Sequence, residues 1–352
     1  MIARMDQIVA ERQAITVRSM VAADINQMTD AEFSRVFFIV GFGVDAPSRA
    51  LHCGFVNVAL PALNGSAPYE VWFADEAVTR TTSASVSFAK TDSILFGCAS
   101  IAQRDGDHLE DVTKSLYSQI FAGMDALGMP YFARAWHYLP AINSAEDALE
   151  RYRRFSMGRH EAFLAKGRQI ERDAPAASAL GSQTVAGQSG QLVIYFIATA
   201  ERGTPIENPR QVSAYRYPEQ YGPKSPTFAR AFLAPAPQTV FYVSGTASIV
   251  GHETLHRNDV RAQTRETIAN ILALKNEAAK RGVDTRDYLS HIKVYVRHVT
   301  DIDAVREEIE SEFAAKSVFD KNTDIVYFEA DICRRDLLVE IELLSAPLDG
   351  SL

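Results

Sequence analysis

The sequence predicts an α+β fold made of two β-α-β-α-β-β halves in one chain. Three observations carry that prediction. Gly97-Cys98-Ala99-Ser100-Ile101 recurs as Gly245-Thr246-Ala247-Ser248-Ile249. Each copy follows an apolar strand and precedes a polar stretch, a helix and a second strand, in the same order. Strand pairs mixed with helices of this length imply sheets covered by helices on one face.

The elements follow in order. The apolar strands ahead of the two copies are Ile94-Leu95-Phe96 and Val240-Phe241-Tyr242-Val243, with further opening strands expected upstream. Helical periodicity places the next elements at about 109–127 and 260–280, the second stopping at Arg281-Gly282. Strands of mixed polarity come next, at 131–139 and 292–299. A second helix then opens at Ile142-Asn143-Ser144-Ala145-Glu146 in one half and at Ile302-Asp303-Ala304-Val305-Arg306 in the other. Two strands close each half. Between the halves, Gly203-Thr204-Pro205 and Asn208-Pro209 break regular structure. That break predicts an N-terminal domain of 1–205 and a C-terminal domain of 206–352.

Composition sets bounds on function. A chain of 352 residues can bury a large core and more than one domain. Hydrophobic content of 47% with 23% charged residues is that of a globular protein in water. A net charge of −8 argues against a general nucleic-acid binder, which carries a basic face. It leaves a small anionic substrate open, because a few arginines in a cleft outweigh the distant field. Cys53, Cys98 and Cys333 form a sparse, odd set without metal-ligand spacing, which favours a reducing compartment. Residues 1–20 have no signal-type apolar core, and no apolar run approaches the ~20 residues that span a bilayer. The expected location is cytoplasmic, with no membrane or nucleic-acid partner.

One residue breaks the apolar pattern. Leu337-Leu338-Val339-Glu340-Ile341-Glu342-Leu343-Leu344 reads as a buried strand, yet it holds ionisable groups. The matching strand of the first half, Leu192-Val193-Ile194-Tyr195-Phe196-Ile197-Ala198, aligns Ile194 with Glu340. The asymmetry points to a single acid or base site in the C-terminal half, at Glu340. Two plainer readings stand beside it: Glu340 pairs with Arg334 or Arg335, or Glu342, on the same strand face, is the working group.

His252-Glu253-Thr254-Leu255-His256 spells the H-E-x-x-H string of zinc proteases. That chemistry needs both imidazoles on one helix face. Here Gly251 precedes the string, and Asn258 or Asp259 reads as the N-cap of the following helix, which leaves the string in a loop. No metal site is expected. Residues 213–231 hold three tyrosines, two arginines, a lysine and three prolines. Such a segment suits anion recognition, Arg offering a rigid bidentate fork and Tyr a donor on a stiff arm. It equally suits a solvated connector.

Four stretches together carry a family resemblance. They are Tyr152…Gly158-Arg159-His160-Glu161-Ala162-Phe163, Tyr215-Arg216-Tyr217-Pro218…Phe228-Ala229-Arg230, Ser244-Gly245-Thr246-Ala247-Ser248-Ile249-Val250-Gly251-His252-Glu253 and Cys333-Arg334-Arg335-Asp336-Leu337-Leu338-Val339-Glu340. From about residue 130 onward the chain resembles the chorismatases, which remove the enolpyruvyl group of chorismate as pyruvate. The resemblance implies Rid/YjgF-like (chorismate-mutase-like) halves, the first a degenerate copy and the second carrying the site. It implies Glu340 as catalytic acid, Arg159 and Arg230 as carboxylate ligands, and Tyr152 and Tyr217 as substrate contacts, with Arg216 as a neighbouring candidate. Gly245 and Cys333 resemble positions that separate 3-hydroxybenzoate formers from enzymes that make a non-aromatic dihydrodiol. In plainer terms, Cys333 is a small buried hydrophobe, Gly245 permits a close backbone approach, and Arg159 coats a charge-rich helix.

The implied reaction is chorismate cleavage to pyruvate and 3-hydroxybenzoate, with 4-hydroxybenzoate as a second product of some members and a dihydroxycyclohexadiene carboxylate as the alternative. No cofactor is implied. Assembly is expected as a monomer or a homo-oligomer, a trimer included. A Rid-type enamine or imine deaminase would use the same fold, but it needs an arginine two residues before Cys333, where Asp331 stands. A non-catalytic binder of aromatic acids would have little use for Glu340.

Overall fold

The computed structural model describes residues 15–347, apart from 53, 64, 105, 184–189, 236–237, 286–287 and 317–322. Cys53 and the first fourteen residues therefore lie outside the described part. The first half contains β5 (Thr79–Ser83), β6 (Val86–Lys90), β7 (Ile94–Ala102), α1 (Leu109–Ala126), β8 (Tyr131–Pro140), α2 (Arg151–Ala165), β9 (Ala176–Ser182) and β10 (Gln191–Thr199). The second half contains β11 (Thr204–Ile206), β12 (Ala231–Ala234), β13 (Val240–Ala247), α3 (Val260–Ala279), β14 (Tyr288–Val296), α4 (Ile302–Lys316), β15 (Asp324–Glu329) and β16 (Val339–Pro347). The six-stranded sheets run β5-β6-β7-β10-β8-β9 and β11-β12-β13-β16-β14-β15. Strand for strand these orders are the same. The α+β class and the doubled topology are those the sequence predicts.

Ahead of them lies a third sheet that sequence reading left unassigned. Its strands are β1 (Ile15–Met20), β2 (Val36–Phe42), β3 (Phe55–Val58) and β4 (Tyr69–Ala74), in the order β1-β4-β2-β3. β1 and β2 pair antiparallel with β4, and β2 pairs parallel with β3. The set β7-β10-β8-β9 is wired in the same way. The N-terminal sheet is a truncated third copy, with short helical turns where α1 and α2 would stand.

The three sheets enclose one core, with aromatic residues from each: Phe42 and Trp72, then Phe96, Trp136 and Tyr195, then Tyr242, Tyr295 and Phe328. The helices cover the outer faces. α1 and α2 pack on the first-half sheet through Leu116, Phe121, Phe155 and Phe163, and α3 packs on the second-half sheet through Ile268, Ile271 and Leu274. Gly158 lets α2 close on α1, since a Cβ there would collide with the Glu110 carbonyl. Asp259 caps α3, its carboxylate accepting from the Ala262 N–H at 2.9 Å. Among the described residues no helix is long and apolar enough to cross a membrane.

Two expectations need correction. The second helix of the first half starts at Arg151, not at Ile142. Residues 141–150 form a turn and a small hairpin, with Ala141, Asp147 and Ala148 at φ of 51°, 47° and 65°. Tertiary bonds override helix propensity there: Glu146 accepts from the Leu109 N–H, and Asn143 donates to the Ile332 carbonyl. The comparison of Ile194 with Glu340 also shifts. Ile194 pairs with Ala99 and Glu340 with Ala247, equivalent positions of the repeated motif. Yet Ile194 faces the helices, whereas Glu340 lines the space between sheets. The reason is an extra residue in β13: the pairing shifts between Val243 and Thr246, so Ser244 and Gly245 stand opposite Glu342 alone. Such a bulge reverses the facing of everything beyond it. By facing, the counterpart of Glu340 is Tyr195, which sits opposite Trp136 as Glu340 sits opposite Tyr295.

Candidate active site

Alternation along β16 sends Val339, Ile341 and Leu343 to the helix-side core and turns Glu340 and Glu342 toward the other sheets. The two glutamates then meet opposite environments. Glu342 is ringed by Arg134 Nη2 at 2.6 Å, Trp136 Nε1 at 2.7 Å, Lys293 Nζ at 3.0 Å, Tyr295 Oη at 3.2 Å and the Ser178 hydroxyl. Burial would raise its pKa, but Lys293 and Arg134 outweigh it and hold Glu342 ionised, down to about 2. Glu340 is 3% exposed. Burial first, and the charge of Glu342 second, push it up to about 8 against the pull of Arg134 and Arg297.

Arg334 is bonded to the His252 carbonyl and Arg335 to the Asn143 carbonyl, so neither is tied to Glu340. Glu342 is a fixed anion. Burial and the Glu342 charge favour the protonated form of Glu340.

Glu340 opens onto a cavity of about 820 Å³ between the two halves. The first half supplies the turn around Asn143–Glu150 and Tyr152 at the start of α2. The second supplies the proline-rich loop from Tyr217 to Arg230, Gly245, Cys333 and Arg334. A narrow adjoining cavity of about 30 Å³, lined by Arg159 and Ser178, shares Tyr152, Gly245, Cys333 and Glu340 with the larger one.

Three guanidinium groups beside this space hold buried nitrogens without a hydrogen-bond partner among the described residues. Arg159, 3% exposed, lies over the rings of Tyr117 and Phe163 at 5.3 and 5.6 Å. Its Nε and Nη2 are buried and without a hydrogen-bond partner among the described residues. Arg230 donates from Nη2 to the Val212 carbonyl and to the Tyr217 hydroxyl at 2.7 and 2.6 Å, which leaves Nε unpartnered. Arg334 lies over Tyr217 and Tyr221 at 5.1 and 4.0 Å, with Nη2 unpartnered. Buried donors without acceptors are costly in a finished core, and each calls for an explanation, a bound ligand being one.

Most residues singled out in the sequence therefore meet in one place: Tyr152, Arg159, Tyr217, Arg230, Gly245, Cys333 and Glu340. Arg216 does not join them. It is exposed and pairs with Glu171 at 2.9 Å. Arg334 and Ser178 were missed as site residues. Only the adjacency of Arg334 to Cys333 could have drawn attention to it, and Ser178 carries no sequence signal.

Gly245 meets Glu340 directly: a Cβ on it would overlap the carboxyl group. Cys333 is a thiol rather than a thiolate, since burial pushes it up to about 12. His252 and His256 fall in a β-turn and the turn before α3, not on a helix face. Among the described residues the group close enough to share a metal is His108, Glu110 and Glu146. It lies at the surface, with Glu146 paired to Arg151 and Glu110 to Arg154.

Comparison with known proteins decides the family. Over 284 residues the chain is 37% identical to a chorismatase from Streptomyces rapamycinicus, covering 78% of this chain and 80% of that protein. The chain belongs to the chorismatase family. A 3-hydroxybenzoate synthase from Streptomyces hygroscopicus is 36% identical, over 82% of this chorismatase and 83% of that protein. Residues 70–198 match the family model for the N-terminal part of FkbO/Hyg5-like chorismatases. A chorismatase crystal structure superposes with a TM-score of 0.80 at 30% identity, over 95% of this chorismatase and 99% of that chain.

Proposed function

We propose that this chorismatase cleaves chorismate to pyruvate and 3-hydroxybenzoate, with Glu340 as the proton donor. The observation that carries the reading is a carboxylic acid held neutral beside unpartnered guanidinium groups in one cavity. Chorismate is a dianion with an enol ether. Cleavage begins when its methylene carbon gains a proton, which leaves an oxocarbenium-like centre. A carboxylic acid with a pKa near 8 supplies that proton at neutral pH, and its carboxylate then stabilises the cation. In this reading Arg159, beside the narrow cavity, and Arg230 with Arg334, beside the larger one, hold the two carboxylates, with Tyr152 and Tyr217 in the walls.

The neighbouring ring hydroxyl then attacks the ring carbon that bears the ether oxygen, breaking that C–O bond so that the three-carbon unit leaves as pyruvate and the hydroxyl proton returns to the Glu340 carboxylate. The epoxide so formed is protonated and opens, and loss of a ring proton gives the aromatic acid without water or redox. Gly245 supports this route, since a larger residue there would displace the Glu340 carboxyl, while Cys333 lines the wall. Capture by water instead would give a dihydroxycyclohexadiene carboxylate and pyruvate. Incubation with chorismate and no added cofactor tests the proposal: pyruvate with 3-hydroxybenzoate supports it, and pyruvate with the dihydrodiol would replace the product assignment.

A further inference from the structure

Glu340 and Arg159 stand on different halves of the chain, yet cleavage needs acid and carboxylate clamp at a fixed separation. One residue bonds to the supports of both. Ser178 on β9 is 3% exposed and lines the narrow cavity beside Glu340 and Arg159. A hydroxyl has one proton and two lone pairs, and here all three are committed. Arg134 Nη2 donates to it at 2.7 Å, the Gly245 N–H donates at 2.9 Å, and its own proton goes to Glu342 Oε2. Gly245 is the bulge residue whose α-carbon sits against the Glu340 carboxyl. On the other side, the Ser178 carbonyl accepts from His137 Nδ1 at 2.6 Å. That bond fixes the imidazole tautomer, so Nε2 accepts from the Tyr117 hydroxyl at 2.5 Å. The Tyr117 ring in turn lies beneath the Arg159 guanidinium.

We propose that Ser178 is a positioning residue for chorismate cleavage: its hydroxyl clamps the Gly245 bulge and the Glu342 anion beneath Glu340, on the strand whose carbonyl anchors the Arg159 platform. The inference rests on Glu340 being the proton donor. Ser178 touches no reacting atom and has no spare proton to give. Its effect falls on kcat, because a misplaced acid slows the proton transfer while the arginines still bind the dianion.

The test is pyruvate release by Ser178→Ala, Ser178→Thr and a control, Ser290→Ala. Ser290 is equally buried in the second-half sheet, and its hydroxyl bonds Ser345 at 2.8 Å away from the cavity. Ser178→Ala is expected to lower kcat by about tenfold or more with KM within about threefold. Ser178→Thr, which keeps the hydroxyl, recovers most of that loss. Ser290→Ala loses comparable thermal stability with kcat unchanged. If Ser178→Ala does not fold, the near-isosteric Ser178→Cys, a poor hydrogen-bonding group, carries the same prediction. Wild-type kcat in Ser178→Ala, or an equal loss in Ser290→Ala, overturns the positioning role and leaves the cleavage reading standing. A wild-type protein that releases no pyruvate overturns both.

Discussion

Two carboxyl groups two residues apart on one strand differ because their neighbours differ. Glu342 has two cations and several donors within reach, and Glu340 has Gly245 and a cavity. Divergent pairs of this kind separate acid from anion in active sites. Glu340→Gln keeps the shape but has no transferable acidic proton, so pyruvate release is expected to vanish while chorismate still binds by calorimetry. The pH dependence follows from the same group. The protonated form is active and its pKa is about 8, so kcat/KM should hold through neutrality and fall on an alkaline limb near pH 8.

The stability sign runs the other way from an ordinary salt-bridged carboxylate. Between the unfolded value near 4.5 and about 8 the folded state holds the extra proton, so rising pH destabilises it by ~1.4 kcal/mol per unit. Glu340→Gln should flatten that slope in thermal melts between pH 5 and 8, and an unchanged slope would contradict the assignment. Glu340 was legible in the sequence as a charge in an apolar strand. Which of the two glutamates is free was not, because the answer lies with Arg134, 208 residues away along the chain.

At the level of elements, the repeated glycine does two jobs. A Cβ on Gly97 would strike the Phe196 ring, and one on Gly245 would strike Glu340. The first half fills the glycine notch with an aromatic side chain, and the second fills it with the acid. Gly245→Ala should therefore push the Glu340 carboxyl aside. We expect kcat for 3-hydroxybenzoate to fall several-fold and the product ratio to shift, with little loss of fold; product separation by chromatography reads both. Unchanged products and rate would mean that Glu340 has room elsewhere. Helices at 109–126 and 260–279 were legible to within a residue or so from periodicity and stop signals. The 141–150 hairpin was not, since residues of good helix propensity there are held by partners from α1 and from the strand ends of the other half. The bulge in β13 was equally hidden, because one extra residue leaves no compositional trace, yet it changes which β13 residues lie beside Glu340.

In the whole molecule, three sheets meet around a core that contains charges as well as aromatic rings. Glu70 on β4 pairs with Lys293 and His291 on β14, Lys293 continues to Glu342 on β16, and Glu342 reaches Arg134 on β8. The ladder ties all three sheets together with opposite charges alternating. Removing one rung should be severe, since it strands a buried charge: Glu342→Gln is expected to cost about 3–5 kcal/mol in urea unfolding. A loss below about 1 kcal/mol would mean the ladder contributes little. The doubled architecture was legible from the Gly-x-Ala-Ser-Ile repeat and the order of elements. The third copy was not, because it lacks that motif and its helices are too short to show a period.

The most direct test of the account is single-turnover incubation of the wild-type chain and Glu340→Gln with chorismate, following pyruvate and separating the aromatic products. The account predicts pyruvate with 3-hydroxybenzoate from the wild type and neither from the variant. Pyruvate release by Glu340→Gln at a rate near wild type would contradict it.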